Sequence, residues 1–234
     1  MSSERPGSKY SVALMKSSSL EDWQLALDNY DAAIRIVSAV KMDDELPALD
    51  EWWRNEYSAV VRSREPFFIN SDELMRIVKW KLGRGKNRPM LLGLIKENSE
   101  KEIFDISSVA FQSLDDNDWK IAFTTLMKLR GVGPATASAI LAPLSPDKYP
   151  FMADEVLESV TTRSYSLKDY EKMRDALVKK SNQVSGTEWN PEKIGKALWA
   201  HAIVSLPTKS DSMTRKRGIA EDKQKDPTKI RRRR

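Results

Sequence analysis

LRGVGPATASAILAPLSPDKYPFMADEV, residues 129–156, decides how the chain is read. Two of the nine glycines, Gly131 and Gly133, stand in its GVG step. Just upstream, WKIAFTTLMKL is an amphipathic helix whose Ile121, Leu126 and Leu129 are expected to face inward. Gly131 falls where a helix C-terminus favours positive φ. Gly133 lets the turn close before Pro134, whose fixed φ suits a first helical position. Ala135, Ala137, Ala139 and Ala142 carry little bulk, so the following helix can approach its predecessor closely. The stretch predicts a helix, a tight glycine hairpin and a second helix over residues 117–142. The loop SPDKYPFMA and one acid, Asp154, follow at the start of another helix.

Outward from this stretch the apolar spacing stays helical. A pattern from Ser19 runs through Leu20, Trp23, Leu27, Tyr30, Ile34 and Val37, with an acidic first turn suited to the helix dipole. After Pro47, the residues Leu49, Trp52, Trp53, Tyr57, Val60 and Val61 keep the same period until Pro66. Asn70 or Ser71 caps a helix through Leu74, Ile77, Val78 and Trp80; a glycine-containing loop, KLGRGKNRP, then leads to the apolar MLLGLI. Further helices fit Glu102–Ser113, Asn117–Leu129, Pro134–Ala142, Glu155–Val160, Leu167–Lys180 and Pro191–Val204. Alternating strand patterns are missing, so the expected fold is all-α, with residues 1–8 disordered, a helical domain over 9–206 and a disordered tail over 207–234.

Composition narrows the chemistry. The absence of cysteine removes disulfides, iron–sulfur clusters and thiolate zinc sites, and the single histidine, His201, removes a His-rich metal centre. His201 is expected to be structural or exposed, and neither a metal nor another cofactor is expected. No apolar run reaches the roughly 18 residues of a membrane span, so the expectation is a soluble intracellular monomer that engages no membrane. The net charge of +5 is unevenly placed. Residues 207–234 carry eleven Lys and Arg against four Asp and Glu, which leaves 28 basic and 30 acidic residues in the rest. The basic clusters at Arg215–Arg217 and Arg231–Arg234 suit a nuclear address or a phosphate-binding arm.

A glycine hairpin opening a helix presents unpaired backbone N–H groups to an anion, and a nucleic-acid phosphate is the obvious one. The competing reading is a tight helical corner whose glycines serve packing alone. LRGVGPATASAIL resembles the helix-hairpin-helix of the DNA glycosylase superfamily, in which the hairpin is followed by a Gly/Pro-rich loop and an aspartate; the chain looks like a divergent member of eukaryotic type. Gly131 and Asp154 are 23 positions apart, which agrees with that pattern. The resemblance covers residues 117–160. It implies a nuclear protein of base-excision repair that binds double-stranded DNA, rotates a damaged or mispaired nucleotide out of the stack and cleaves its N-glycosidic bond. Asp154 would be the catalytic carboxylate beneath an oxocarbenium-like sugar, although an Asp at a helix start also serves as a cap. Arg130, Gly131, Val132, Gly133, Ala135 and Thr136 would bind the DNA backbone. Members that also cut the strand carry a Schiff-base lysine where this chain has Ala135, so lyase chemistry by that route is not expected. Glu155 and Glu158, with Arg163 the nearest base, also depart from the His or Arg that commonly follows the family's aspartate.

Lys79, Lys81, Arg84, Lys86 and Arg88 form a basic segment without an acid, which adds a candidate DNA contact on a mobile loop, with Trp80 as a stacking ring. Among the aromatics Trp52, Trp53, Tyr57, Phe67, Phe68, Tyr149 and Phe151, the pair Tyr149 and Phe151 is best placed for a base pocket, because it lies in the loop leading to Asp154. Two rival expectations remain: a nuclear hairpin module that binds DNA or another partner without chemistry, and an all-α interaction protein that binds no nucleic acid.

Overall fold

The structure, a computed structural model, describes residues 8–116, 118–184 and 188–206. The expectations for residues 1–7 and for the basic tail from 207 onward lie outside the described residues. The chain divides into two units, Met1–Val204 and Ser205–Arg234. Among the described residues the first unit is all-helical: α1 Ser8–Lys16, α2 Leu20–Asp28, α3 Tyr30–Lys41, α4 Leu46–Asn55, α5 Tyr57–Arg62, α6 Ser71–Arg84, α7 Pro89–Lys96, α8 Glu100–Gln112, α9 Trp119–Leu126, α10 Pro134–Leu141, α11 Asp154–Glu158, α12 Leu167–Gln183 and α13 Pro191–Val204. None of these helices is long and apolar enough to cross a membrane.

Side-chain caps explain several helix starts. Ser19 accepts a hydrogen bond from the Asp22 amide at the head of α2. Asn70 with Glu73, and Ser99 with Glu102, form reciprocal capping boxes at α6 and α8 that satisfy backbone donors on both sides. Asp118 caps α9, and Ser166 caps α12.

α13 runs through the core. Its Ile194, Ala197, Leu198, Trp199, Ala200 and Ala202 are buried, and it packs against α1, α2, α3, α11 and α12. On the other side, α6 lies against α3, α4, α7 and α10. The small residues of α10 let neighbours reach its backbone. Trp53 Nε1 donates to the Ala139 carbonyl at 2.8 Å and Tyr57 Oη to the Ile140 carbonyl at 3.1 Å. Carbonyls in the last turn of a helix lack intrahelical partners, so these two aromatics satisfy groups that would otherwise be buried and unpaired.

Several expectations need correction. Ser8 opens α1 and belongs to no disordered segment. The pattern from Ser19 is two helices, broken at Asn29. Ile121 points outward at 44% exposure, because the inward face of α9 is set by Trp119, Ala122, Phe123 and Leu126. The segment from Lys79 to Arg84 is the last turn and a half of α6, so only residues 85–88 form a loop. Of the apolar MLLGLI stretch in α7 only Ile95 is fully buried, and Met90 is 83% exposed.

Candidate functional site

A cleft of about 190 Å³ opens where α6, the hairpin and α11 meet. Lys81, Arg84, Lys86 and Arg88 line one wall; Gly131, Gly133, Ala135 and Thr136 line another; Phe151, Asp154 and Glu155 complete it, with Tyr165 and Trp199. Three features far apart in sequence, the basic segment, the hairpin and the acid, therefore share one concave surface. Four basic side chains face it against two acidic ones.

The hairpin is anchored from behind. Asn98 accepts from the Arg130 amide at 2.8 Å and donates to the Arg130 carbonyl at 3.0 Å, clamping the bend to the end of α7. The Val132 amide is bonded to the Leu129 carbonyl, and those of Thr136 and Ala137 to the Gly133 carbonyl. The amides of Gly131, Gly133 and Ala135 have no acceptor among the described residues. These residues are half-buried and border the cleft. The two glycines differ in what requires them. Gly131 has φ +77° and sits against Leu94 and Ile95, whereas a Cβ on Gly133 would meet nothing within 4 Å. Local packing therefore accounts for the first glycine and not for the second.

Asp154 begins α11, and its side chain is 10% exposed. Tyr165 Oη donates to its Oδ1 at 2.6 Å, and Arg163 Nη1 lies 3.6 Å from its Oδ2 while also reaching Glu158 at 3.3 Å. Burial, and then the hydrogen bond with Asp154, push the Tyr165 phenol above its ordinary range, so it stays a neutral donor. The loop that delivers Asp154 is tied down twice: the Phe151 amide donates to Glu192 Oε2 at 2.7 Å, and the Met152 amide to Ser138 Oγ at 3.0 Å. Burial raises the Glu192 carboxyl above the usual carboxylate range, opposed by the charge of neighbouring Lys196. The carboxylate is thus held by supports from α10, α13 and the segment before α12.

Opposite Asp154, Lys81 is partly buried and has no hydrogen-bond acceptor among the described residues. Desolvation, reinforced by the charge of Arg88, lowers its ammonium to about 8, with Asp154 acting in the opposite sense. Arg88 lies over the Tyr165 ring at 4.9 Å.

The structure sorts the other candidate residues. Lys79 faces away and pairs with Glu45 at 3.3 Å. Trp80 is a core residue stacked on Trp53 at 3.9 Å, with its indole N–H donated to Asp50, so it offers no face to a ligand. Phe151 borders the cleft; Tyr149 is fully buried and does not. Val132 is turned inward, and Arg130 is exposed but paired with Glu97 at 2.6 Å. His201 is half-buried, edge-on to Tyr10, and burial lowers its imidazole. Trp52, Trp53 and Tyr57 are core.

Sequence reasoning missed Tyr165, Trp199, Asn98, Ser138 and Glu192. Only Tyr165, eleven residues beyond Asp154, lay near enough to suggest itself. Among the described residues no cluster of His, Cys, Asp or Glu could hold a metal ion. No family model matches the chain, nor does any curated protein or solved structure.

Proposed function

We propose that this chain is a DNA glycosylase-like protein of base-excision repair that binds duplex DNA across the cleft and hydrolyses the N-glycosidic bond of an extruded nucleotide. The observation that carries the reading is the meeting of unpaired hairpin amides, a cationic wall and a positioned carboxylate on one cleft of about 190 Å³. The amides of Gly131, Gly133 and Ala135 take a phosphate of the strand. Lys81, Lys86 and Arg88 neutralise neighbouring phosphates without regard to sequence. The extruded sugar then lies toward Asp154. As the bond from C1′ to the base nitrogen breaks, positive charge builds on the sugar and Asp154 stabilises it. Water adds at C1′, its proton is given up, and the base leaves with one proton in place of the sugar. Ala135 stands where a Schiff-base lysine would be needed, so the strand is left intact. The basic tail provides nuclear targeting.

The test is incubation with duplexes carrying alkylated, deaminated, oxidised or mismatched bases, followed by hot alkali to cut at abasic sites. Cleavage by the wild-type chain that falls at least about 100-fold in Asp154→Asn supports the enzyme. A second reading, a hairpin module that binds DNA without chemistry, draws on the ties from Tyr165 and Arg163 to Asp154. It would show salt-dependent duplex binding with no abasic sites on any duplex. A duplex affinity insensitive to salt would rule out both.

A further inference from the structure

Arg84 ends α6 at the wall of the cleft, and only 5% of it is exposed. Its Nε and Nη1 are sealed from solvent without a hydrogen-bond partner. In place of oxygen atoms the guanidinium meets four rings: Trp199 at 3.9 Å, Trp80 and Phe151 at 5.1 Å, and Tyr30 at 5.3 Å from the ring centroids. The nearby carboxylates are directed elsewhere. Asp50 accepts from Tyr30, Trp80 and Arg54, and Glu192 accepts from the Phe151 amide. A buried cation compensated by aromatic faces alone remains short of oxygen acceptors, and of its nitrogens only Nη2 is not sealed, so an acceptor on an occupant arriving in the cleft can reach the guanidinium there.

The cavity's size decides what that occupant can be. At about 190 Å³ the cleft is somewhat larger than the roughly 150 Å³ cavity that admits one benzene ring, so it has room for one flat heteroaromatic ring. Phe151 and Trp199 supply apolar lining for such a ring. Resting on the DNA reading of the cleft, we infer that Arg84 selects the extruded base, accepting neutral bases that present a carbonyl oxygen and rejecting alkylated bases that carry a positive charge. An aromatic cage of this kind would attract a cationic base if it were empty. Here the cage already holds a permanent cation, because a guanidinium is not deprotonated in proteins. A methylated purinium would meet like charge in a low-dielectric pocket, whereas a carbonyl would give Arg84 the acceptor it lacks. An amine at the same edge would point donor at donor.

Hypoxanthine and adenine make the sharpest test, since they differ only along one edge: a carbonyl beside N1–H in hypoxanthine, an exocyclic amine beside an unprotonated N1 in adenine. Each is placed in duplexes of one sequence opposite the same mispairing base, on a 2′-fluoro sugar that resists hydrolysis; uracil and 7-methylguanine are placed likewise. Dissociation constants are read by fluorescence anisotropy at fixed salt. The expected order has hypoxanthine and uracil about 10- to 100-fold tighter than adenine and 7-methylguanine, the range of one hydrogen bond to a charged group. In Arg84→Met the hypoxanthine-to-adenine ratio should collapse toward one. If that variant does not fold, the wild-type order alone carries the test. Duplex binding with equal affinity for hypoxanthine and adenine, or with 7-methylguanine preferred, removes the role of Arg84 and leaves the DNA reading standing. Absence of salt-dependent duplex binding removes both.

Discussion

Two well-covered arginines, Arg64 and Arg84, show opposite uses of the same side chain. Arg64 gives Nη1 and Nη2 to the two oxygens of Glu73, each at 2.7 Å, and Nη1 also reaches the Phe68 carbonyl. That fork matches a carboxylate in both distance and direction, and the hydrogen bond with Glu73 raises the Arg64 guanidinium above its ordinary range. Arg84 is covered more completely yet has rings and a cleft where Arg64 has oxygen atoms. Folding alone explains Arg64, because Glu73 also closes the capping box of α6 and thereby ties the helix start to the segment before it. It does not explain Arg84. A charged group that the fold satisfies is structural; one that the fold buries and leaves short of partners points to something arriving from outside.

The largest effect should fall on the satisfied member. Glu73→Ala removes the fork and the Glu73 half of the capping box and leaves a partly exposed guanidinium with only the Phe68 carbonyl, so a loss of about 2–3 kcal/mol in urea unfolding is expected. Arg84→Met removes no hydrogen bond and replaces a cation with an apolar chain among apolar rings. Its stability should change by less than about 1 kcal/mol, the lost cation–π contact being offset by relief of a buried charge. If Arg84→Met unfolds the protein as readily as Glu73→Ala, the contrast between the two arginines is lost.

The same distinction explains how much could be read from sequence. Local signals were legible: the hairpin, the acidic first turn after Ser19, the cap at Asn70 or Ser71, and the Pro-started α13 all rest on residues within a few positions of one another. The end of α6 was not, because Gly83 and Gly85 resemble a loop. Yet Gly83 is helical and lies under α4, where a Cβ would come within 2.7 Å of Asp43 and 3.1 Å of Leu46. Packing between helices overrode local propensity there. The phase of α9 was misjudged at Ile121 because Trp119 and Phe123 fix which face turns inward. Trp199 joins the cleft from a helix 45 residues beyond Asp154, a relation that spacing cannot carry. The convergence of residues 81–88, 131–136 and 154 followed from none of their separate patterns.

The hairpin glycines sharpen the contrast with smaller effects. Gly131→Ala forces a Cβ into a left-handed backbone and against Leu94 and Ile95, and should cost about 1–2 kcal/mol in thermal unfolding. Gly133→Ala meets open space and keeps a backbone that any residue adopts, so its stability should stay within about 0.5 kcal/mol of wild type. Duplex affinity should nevertheless fall about tenfold, a loss of about 1.4 kcal/mol, because the methyl group would enter the path of the proposed phosphate toward the amides. Unchanged binding in a folded Gly133→Ala protein would return the hairpin to a packing role.

The lysines give the smallest and most specific effect. Lys148 donates to the Leu114 carbonyl at 2.9 Å and acts as a structural tie, whereas Lys81 lacks such an acceptor and stands at the cleft with its ammonium lowered to about 8. Between pH 8 and the ordinary lysine range of about 10.4, the unfolded chain holds a proton at this position that the native state has lost. The contribution of Lys81 to stability therefore rises with pH across that window. The proposed DNA binding should run the other way: a phosphate favours the charged amine, so affinity should be full below pH 8 and decline as pH climbs through it. At pH 9 a group titrating near 8 is about one-tenth protonated, which caps the loss from pH 7 to pH 9 at about tenfold. Lys81→Arg should remove the pH dependence while keeping affinity, and Lys81→Met should remove both; Lys148→Met should leave the binding profile unchanged. A wild-type affinity that stays level from pH 7 to pH 9 would mean that Lys81 does not meet the phosphate, and would detach the end of α6 from the proposed interface.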